Sequence, residues 1–197
     1  VVKRTIEDIQ SYYDLKSRRP ARADLVARLK RLEKALGRLA YECDRSAEVL
    51  EFVPGVIVSQ HSGDGKANQY FLRGFNLDHG TDFATFLDGM PVNMPTHAHG
   101  QGYSDLNFLI PELVDQIEYR KGPYFADEGD FASAGNLHIG LIDRPEKNIA
   151  QATLGSFGYQ RYFGMGATKL GNGMLMAAGE VGAYNGPWVN PDDMRKL

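Results

Sequence analysis

The strongest constraint on the fold lies in the last quarter of the chain. Residues 149–157, 160–170 and 174–184 are three consecutive segments of about ten residues, each alternating in side-chain character. In the third, Leu175, Ala177, Val181 and Ala183 share one face, opposite Met174, Met176, Glu180 and Tyr184. In the second, Phe163, Met165 and Ala167 oppose Tyr162, Gly164, Gly166 and Thr168. Gly158 falls in the first gap, and Gly171-Asn172-Gly173 fills the second. A period of two over ten residues excludes helix and predicts antiparallel strands joined by tight turns. Such segments suit the strands of a transmembrane barrel. They also suit a half-buried soluble sheet, and on base rates alone the soluble sheet comes first.

The rest of the 197 residues is less regular. Glycine numbers 22, and tyrosine with phenylalanine 20, a composition that favours turn-dense β structure over a helical bundle. No run of 18 apolar residues occurs, so no transmembrane helix is expected. The first thirty residues carry charges throughout, so no signal peptide is read in the chain as given. A single cysteine, Cys43, excludes an internal disulfide framework and a Cys-rich zinc module.

Charge divides the chain in two. Residues 1–50 hold 12 basic and 8 acidic groups, whereas residues 51–197 hold 10 and 17. The acidic larger part argues against nucleic acid as a partner. In the basic part, Leu25, Leu29, Leu32, Leu36 and Leu39 recur at spacings of 4, 3, 4 and 3, predicting an amphipathic helix. From Ser46 a mixed unit is expected. It has a short helix over Ala47–Phe52 stopped by Pro54-Gly55, and strands over Val56–Ser59, Gln69–Arg73, Ala84–Leu87, Gln116–Arg120 and Asn136–Ile142. Asp88-Gly89 marks a turn. Leu106–Val114 reads as helix-like, though divided by Pro111.

An ordered series of short motifs lies within this unit. It begins with Glu48-Val49-Leu50 and Phe52-Val53-Pro54-Gly55-Val56, and continues with Arg73-Gly74-Phe75-Asn76 and Leu87-Asp88-Gly89-Met90-Pro91-Val92. It closes with Val114-Asp115-Gln116-Ile117-Glu118-Tyr119-Arg120-Lys121-Gly122-Pro123. Together these resemble the plug domain of a TonB-dependent outer-membrane receptor. Ala132-Ser133-Ala134-Gly135 with Leu137-His138-Ile139 is similar to the plug's ending, where the family usually has Asn in place of His138. Leu154-Gly155-Ser156-Phe157-Gly158 resembles the first barrel strands.

The resemblance implies an α+β chain in three parts: residues 1–45, an α-helical N-terminal segment of uncertain origin; residues 46–145, a plug with a small mixed sheet and short helices; and residues 146–197, the first antiparallel strands of a truncated barrel. A periplasmic extension, a mis-joined reading frame and an engineered fusion stay open for residues 1–45. A 22-stranded barrel needs roughly 220 residues in its strands, so a fragment is expected. The implied function is gating of energy-coupled uptake of a scarce nutrient, such as a siderophore-like metal chelate. The implied partners are the TonB energy-coupling protein, outer-membrane lipid and the small-molecule substrate, and the implied location is the outer membrane. No cofactor is implied beyond a metal or metal chelate as cargo.

In the family pattern, basic groups such as Arg73 and Lys121 face barrel-wall carboxylates, as releasable ion pairs that hold the plug. Two loops would form the outward apex, so His61, His97, His99, Gln101 and Tyr103 are candidate substrate contacts. His97 and His99, spaced i,i+2, point to one side of an extended strand and are candidate ligands for zinc, copper or chelated iron. His61 or His79 would supply a third nitrogen where folding brings it near. Asp127, Glu128 and Asp130 lack regular calcium-loop spacing. No hydrolytic triad or phosphate-binding loop is present, so no enzyme is expected. Two other readings stay open on the residues alone. One is a stand-alone soluble α+β binding domain holding metal through His97 and His99; the other is a zinc or copper enzyme on the same histidines.

Overall fold

The computed structural model describes residues 46–60 and 65–197. The helical stripe expected over residues 21–40, Cys43 and His61 lie outside the described residues. The strands are β1 (Val56–Ser59), β2 (Gln69–Leu72), β3 (Phe75–Asn76), β4 (Phe83–Leu87), β5 (Met90–Pro91), β6 (Val114–Lys121), β7 (Gly135–Leu141), β8 (Ile149–Leu154), β9 (Gln160–Leu170), β10 (Gly173–Tyr184) and β11 (Met194–Lys196). They form three sheets, in the orders β1-β2-β3, β5-β4-β7-β6 and β11-β10-β9-β8.

Local chemistry explains most of the turns. Arg73 and Gly74 join β2 to β3 with φ of 49° and 87°, and Asp88 and Gly89 join β4 to β5 with φ of 46° and 81°. Both are two-residue hairpin loops with positive φ at each central residue, the geometry that matches strand twist. Gly171, at φ 59°, leads the two-residue loop between β9 and β10.

The middle sheet is mixed: β4 pairs parallel with β7, and the remaining pairs are antiparallel. Phe83, Ala84 and Thr85 on β4, and Asn136 and Leu137 on β7, are buried in succession. That is expected of central strands covered on both faces. Leu50, Val53, Tyr70, Leu72, Leu77 and Ile139 complete the core beneath the first two sheets.

The short helix expected over Ala47–Phe52 is present, as a 3₁₀ segment. Among the described residues the helical pieces are 3₁₀ segments, the longest Ser46–Phe52. Leu106–Val114 is not a helix: Pro111–Leu113 is a single 3₁₀ turn, and Val114 opens β6. Proline lacks an N–H and drives its predecessor out of the helical region, and Ile110 indeed sits at φ −95°, ψ 111°. The apolar character of this stretch is used instead by Leu106 and Leu109, both buried in the core.

The third sheet is an antiparallel meander with alternating burial. On β9, Phe163 and Met165 are buried while Tyr162, Gly164 and Gly166 are exposed. On β8 and β10 the outward positions are apolar, with Leu154, Leu175 and Val181 more than half exposed, whereas inward Glu180 is buried. The inward face thus mixes the charged Arg161 and Glu180 with apolar Phe163 and Met165, while the half-exposed apolar side chains on the outward face of β8 and β10 suit a barrel wall. No described helix is long and apolar enough to cross a membrane.

Candidate functional site

Two constellations carry the chemistry: a histidine cluster at one loop, and a buried ion-pair seam between the middle segment and the meander.

The loop is built by Asn93. Its buried side-chain amide accepts from the Thr85 N–H (2.7 Å) and donates to the carbonyls of Gly80 (3.0 Å), Gly102 (3.0 Å) and Phe83 (3.2 Å). One side chain thus ties both ends of the loop to the end of the 78–80 turn. Met94 and Tyr103 close the loop, through Met94 N–H to Tyr103 O (2.9 Å) and Gly102 N–H to Met94 O (2.7 Å). Gly102 sits at φ 81°, where a Cβ would lie 2.6 Å from the Phe131 ring, so glycine is required there. The Tyr103 hydroxyl accepts from the Ala67 N–H at 2.8 Å.

On this frame the His97 ring stacks on Tyr103, with centroids 4.1 Å apart and planes 12° apart. The His97 Nδ1 accepts the His99 N–H at 3.2 Å. The His99 ring turns edge-on to His79, with centroids 4.7 Å apart. His79 is buried, and its Nδ1 lies 2.8 Å from the Ala67 carbonyl and 3.1 Å from that of Asn68. Carbonyls only accept, so this nitrogen carries the proton. Candidate ligand atoms of Asp78, His79 and His99 all lie within 4.8 Å of one another. The structure therefore joins His99 with His79 and Asp78, while His97 faces Tyr103. Gln101 is exposed and accepts from the Thr81 hydroxyl through its backbone carbonyl (3.1 Å). Asp78 carried no sequence signal as a site residue; only the turn brings its carboxylate to the imidazoles.

The seam is centred on Arg161, on the inward face of β9. Its guanidinium forks onto Glu112, with Nη1 to Oε1 at 2.6 Å and Nη2 to Oε2 at 2.8 Å. Its Nε also donates to Glu180 Oε2 on β10 at 2.7 Å. The Glu112 side chain is 1% exposed and that of Arg161 11%. Lys196 on β11 pairs with the other Glu180 oxygen and donates to the Ser46 hydroxyl at 3.1 Å. Glu112 is held at the Pro111–Leu113 turn. A cleft of about 600 Å³ opens along this seam, lined in part by Ser46, Asn107, Tyr159 and Tyr184. These acid–base partners were not legible in the sequence, because 49 residues separate Glu112 from Arg161.

Arg73 and Lys121 meet no carboxylate among the described residues. Lys121 Nζ donates to the Pro54 carbonyl and lies 5.3 Å from the Tyr119 ring centroid. Desolvation, then the nearby Arg73 charge, lowers the Lys121 pKa below the ordinary lysine value. The two cations are thus close neighbours of like charge. Part of the acidic loop is paired within the plug: Glu128 is buried and bonded to Arg120 (3.0 Å) and His138 (2.8 Å), and Arg120 also reaches Asp127 (3.3 Å).

Residues 42–136 match the family model described as TonB-dependent Receptor Plug Domain. Among solved structures, the chain is similar to the copper transporter OprC at 22% identity and a TM-score of 0.54, over 71% of this chain and 21% of that one. It is also similar to the siderophore receptor PirA from Pseudomonas aeruginosa at 20% identity and a TM-score of 0.50, over 77% and 27%. The chain spans about a fifth to a quarter of the length of these structures. The motif series, the mixed sheet, the barrel-type meander and the family match agree: residues 42–136 are a TonB-dependent receptor plug domain, carried in a chain that has the fold of part of an outer-membrane receptor.

Proposed function

We propose that this chain is the gate and opening wall of a transporter that takes up a scarce nutrient across the outer membrane, driven by a TonB partner. The family is one of transporters rather than enzymes. Residues 46–145 serve as the plug and residues 146–197 as the first barrel strands, preceded by the N-terminal segment of residues 1–45. The observation that carries this reading is the seam: a buried plug carboxylate, Glu112, clamped by Arg161 from a sheet whose other face is apolar. A wall that meets the plug through a buried ion pair and is apolar outward on β8 and β10 suits lipid on one side and a folded stopper on the other.

The cargo is a metal ion or a metal chelate of siderophore type. The similarity to a copper transporter, OprC, and a siderophore receptor, PirA, supports this class. Cargo meets the plug at the loop bearing His97, His99, Gln101 and Tyr103, with His61 from the neighbouring loop. Arg73 and Lys121, two like charges without a carboxylate partner among the described residues, bind carboxylates of the remaining wall. Withdrawal of TonB-pulled plug segments breaks those contacts.

The test uses the intact gene product in cells with and without a functional TonB. The expected result is recovery in the outer-membrane fraction, with TonB-dependent accumulation of ⁵⁵Fe supplied as a catecholate chelate or of ⁶⁴Cu supplied as the free ion. A product recovered wholly from the cytosol overturns the reading in favour of a stand-alone binding domain. Outer-membrane recovery with uptake of neither probe above the TonB-deficient level overturns the cargo class.

A further inference from the structure

The turn at residues 77–81 holds two successive non-glycine residues in the left-handed region. Asp78 and His79 both adopt positive φ, 36° and 64°, ahead of Gly80 at 103°. Non-glycine residues rarely hold such angles, and two in succession are rarer. Hydrogen bonds hold them there: Gly80 and Thr81 N–H groups both donate to the Leu77 carbonyl (2.7 Å each), and Ser104 N–H donates to the His79 carbonyl (2.8 Å). The result turns the Asp78 carboxylate and the His79 imidazole toward His99, on a loop that returns twenty residues later.

We propose that Asp78, His79 and His99 form a binding site for a single divalent transition-metal ion of the zinc or copper kind. The donor set, two imidazoles and one carboxylate, is borderline in softness; it suits zinc or copper and disfavours calcium and magnesium, which take all-oxygen shells. His79 is oriented as metal-binding histidines are, with Nδ1–H donated to backbone carbonyls, which places the lone pair of the neutral ring on Nε2. Metal–nitrogen bonds of about 2.0–2.1 Å require donor atoms roughly 3.4 Å apart in a tetrahedron. The cluster, within 4.8 Å, must therefore contract by up to roughly 1.4 Å, with His99 as the side that moves. His79 is buried and pinned, whereas His99 is exposed and followed by Gly100, with Gly102 two residues further on. Three protein ligands leave a fourth position for water or a donor atom of an incoming molecule.

His97 is excluded from the ligand set on geometry. Its Nδ1 already accepts the His99 N–H and its ring lies flat on Tyr103. Its role is to brace the segment that carries His99. This assignment does not depend on transport: the same site follows for a structural ion as for a cargo ion.

The test is calorimetric titration of the purified 197-residue chain with Zn(II) alone, repeated with Co(II), whose visible absorption reports tetrahedral coordination. One zinc per chain is expected, with a rise in melting temperature on binding. His99→Ala should weaken zinc at least about tenfold, with the metal-free melting temperature unchanged because His99 is exposed. Asp78→Asn should weaken it to a similar degree, and His97→Ala should stay within about threefold of wild type. Zinc binding unchanged by His99→Ala overturns the site, as does absence of 1:1 binding in the wild-type chain; His79 is then a core histidine satisfied by Ala67 and Asn68. Equal losses from His97→Ala and His99→Ala would move the ligands to the i,i+2 pair and overturn this assignment. Zinc binding by the purified chain without cellular uptake would refute transport alone, and uptake without zinc binding would refute this site alone.

Discussion

Arg161→Met is the sharpest test of how the plug is held. The substitution keeps the length of an unbranched side chain and removes the guanidinium. It takes away both hydrogen bonds to Glu112, at 2.6 and 2.8 Å, and leaves that carboxylate at 1% exposure without its cation. Glu180 loses one partner but keeps Lys196. A buried charge stripped of its partner costs about 3–5 kcal/mol, so the folded-to-unfolded ratio should fall by roughly two to four orders of magnitude. The double variant Arg161→Met/Glu112→Met removes both charges and places two similar apolar chains in the gap. It should recover to within about 1 kcal/mol of the parent, since a buried ion pair is often no better than its hydrophobic replacement. The assay is urea unfolding of the chain in detergent micelles, followed by far-ultraviolet circular dichroism. The slope against urea should stay constant, so that a midpoint shift reports stability. The reasoning fails if Arg161→Met unfolds at the parent's midpoint. It also fails if the double variant is as unstable as the single one, because packing rather than charge would then hold the seam.

Three other outcomes are expected. Burial, then the Asp105 and Tyr103 charges, raises the Tyr70 phenol pKa above its ordinary value, and its hydroxyl has no hydrogen-bond partner among the described residues. The unfolded chain then loses this proton near pH 10 while the folded chain keeps it, so stability should fall as pH rises above about 10, by up to about 1.4 kcal/mol per unit. Tyr70→Phe should abolish that slope and change stability at pH 7 by less than about 1 kcal/mol; an unaltered alkaline limb in urea titrations would refute this. Asn93→Ala deletes four hydrogen bonds and should cost about 2–3 kcal/mol, with faster proteolytic cleavage within residues 94–103; cleavage at the parent rate would show that the loop is held by other means. Leu175→Arg puts a charge on the outward face of β10 and should cost about 2–4 kcal/mol in the full receptor refolded into phosphatidylcholine vesicles, whereas an unchanged folding yield would mean that this face does not meet lipid.

The local structure was legible where local physics is decisive. The Asp88-Gly89 hairpin and the Gly171-Asn172 turn follow from residues that tolerate positive φ. The faces of β9 and β10 follow from strict alternation, and Arg161, Phe163 and Met165 indeed share the inward side. Leu106–Val114 misled because apolar content alone does not separate a helix from an irregular core segment, and Pro111 decided against the helix. At the histidine loop, the sequence marked His97 and His99 by spacing and admitted His79 as a third nitrogen, but Asp78 carried no signal.

Short-range chemistry thus determined strands, tight turns and the motif series that identifies the plug, because each depends on neighbours within a few residues. Tertiary structure alone decided the rest. The parallel pairing of β4 with β7, the closure of Asp78 and His79 on His99, and the clamp of Arg161 on Glu112 join residues roughly 20 to 50 positions apart. No spacing rule encodes such contacts. They form only when burial of Leu50, Tyr70, Phe83 and Leu137 in one core brings distant segments together and makes an unpaired charge at their seam too costly to leave.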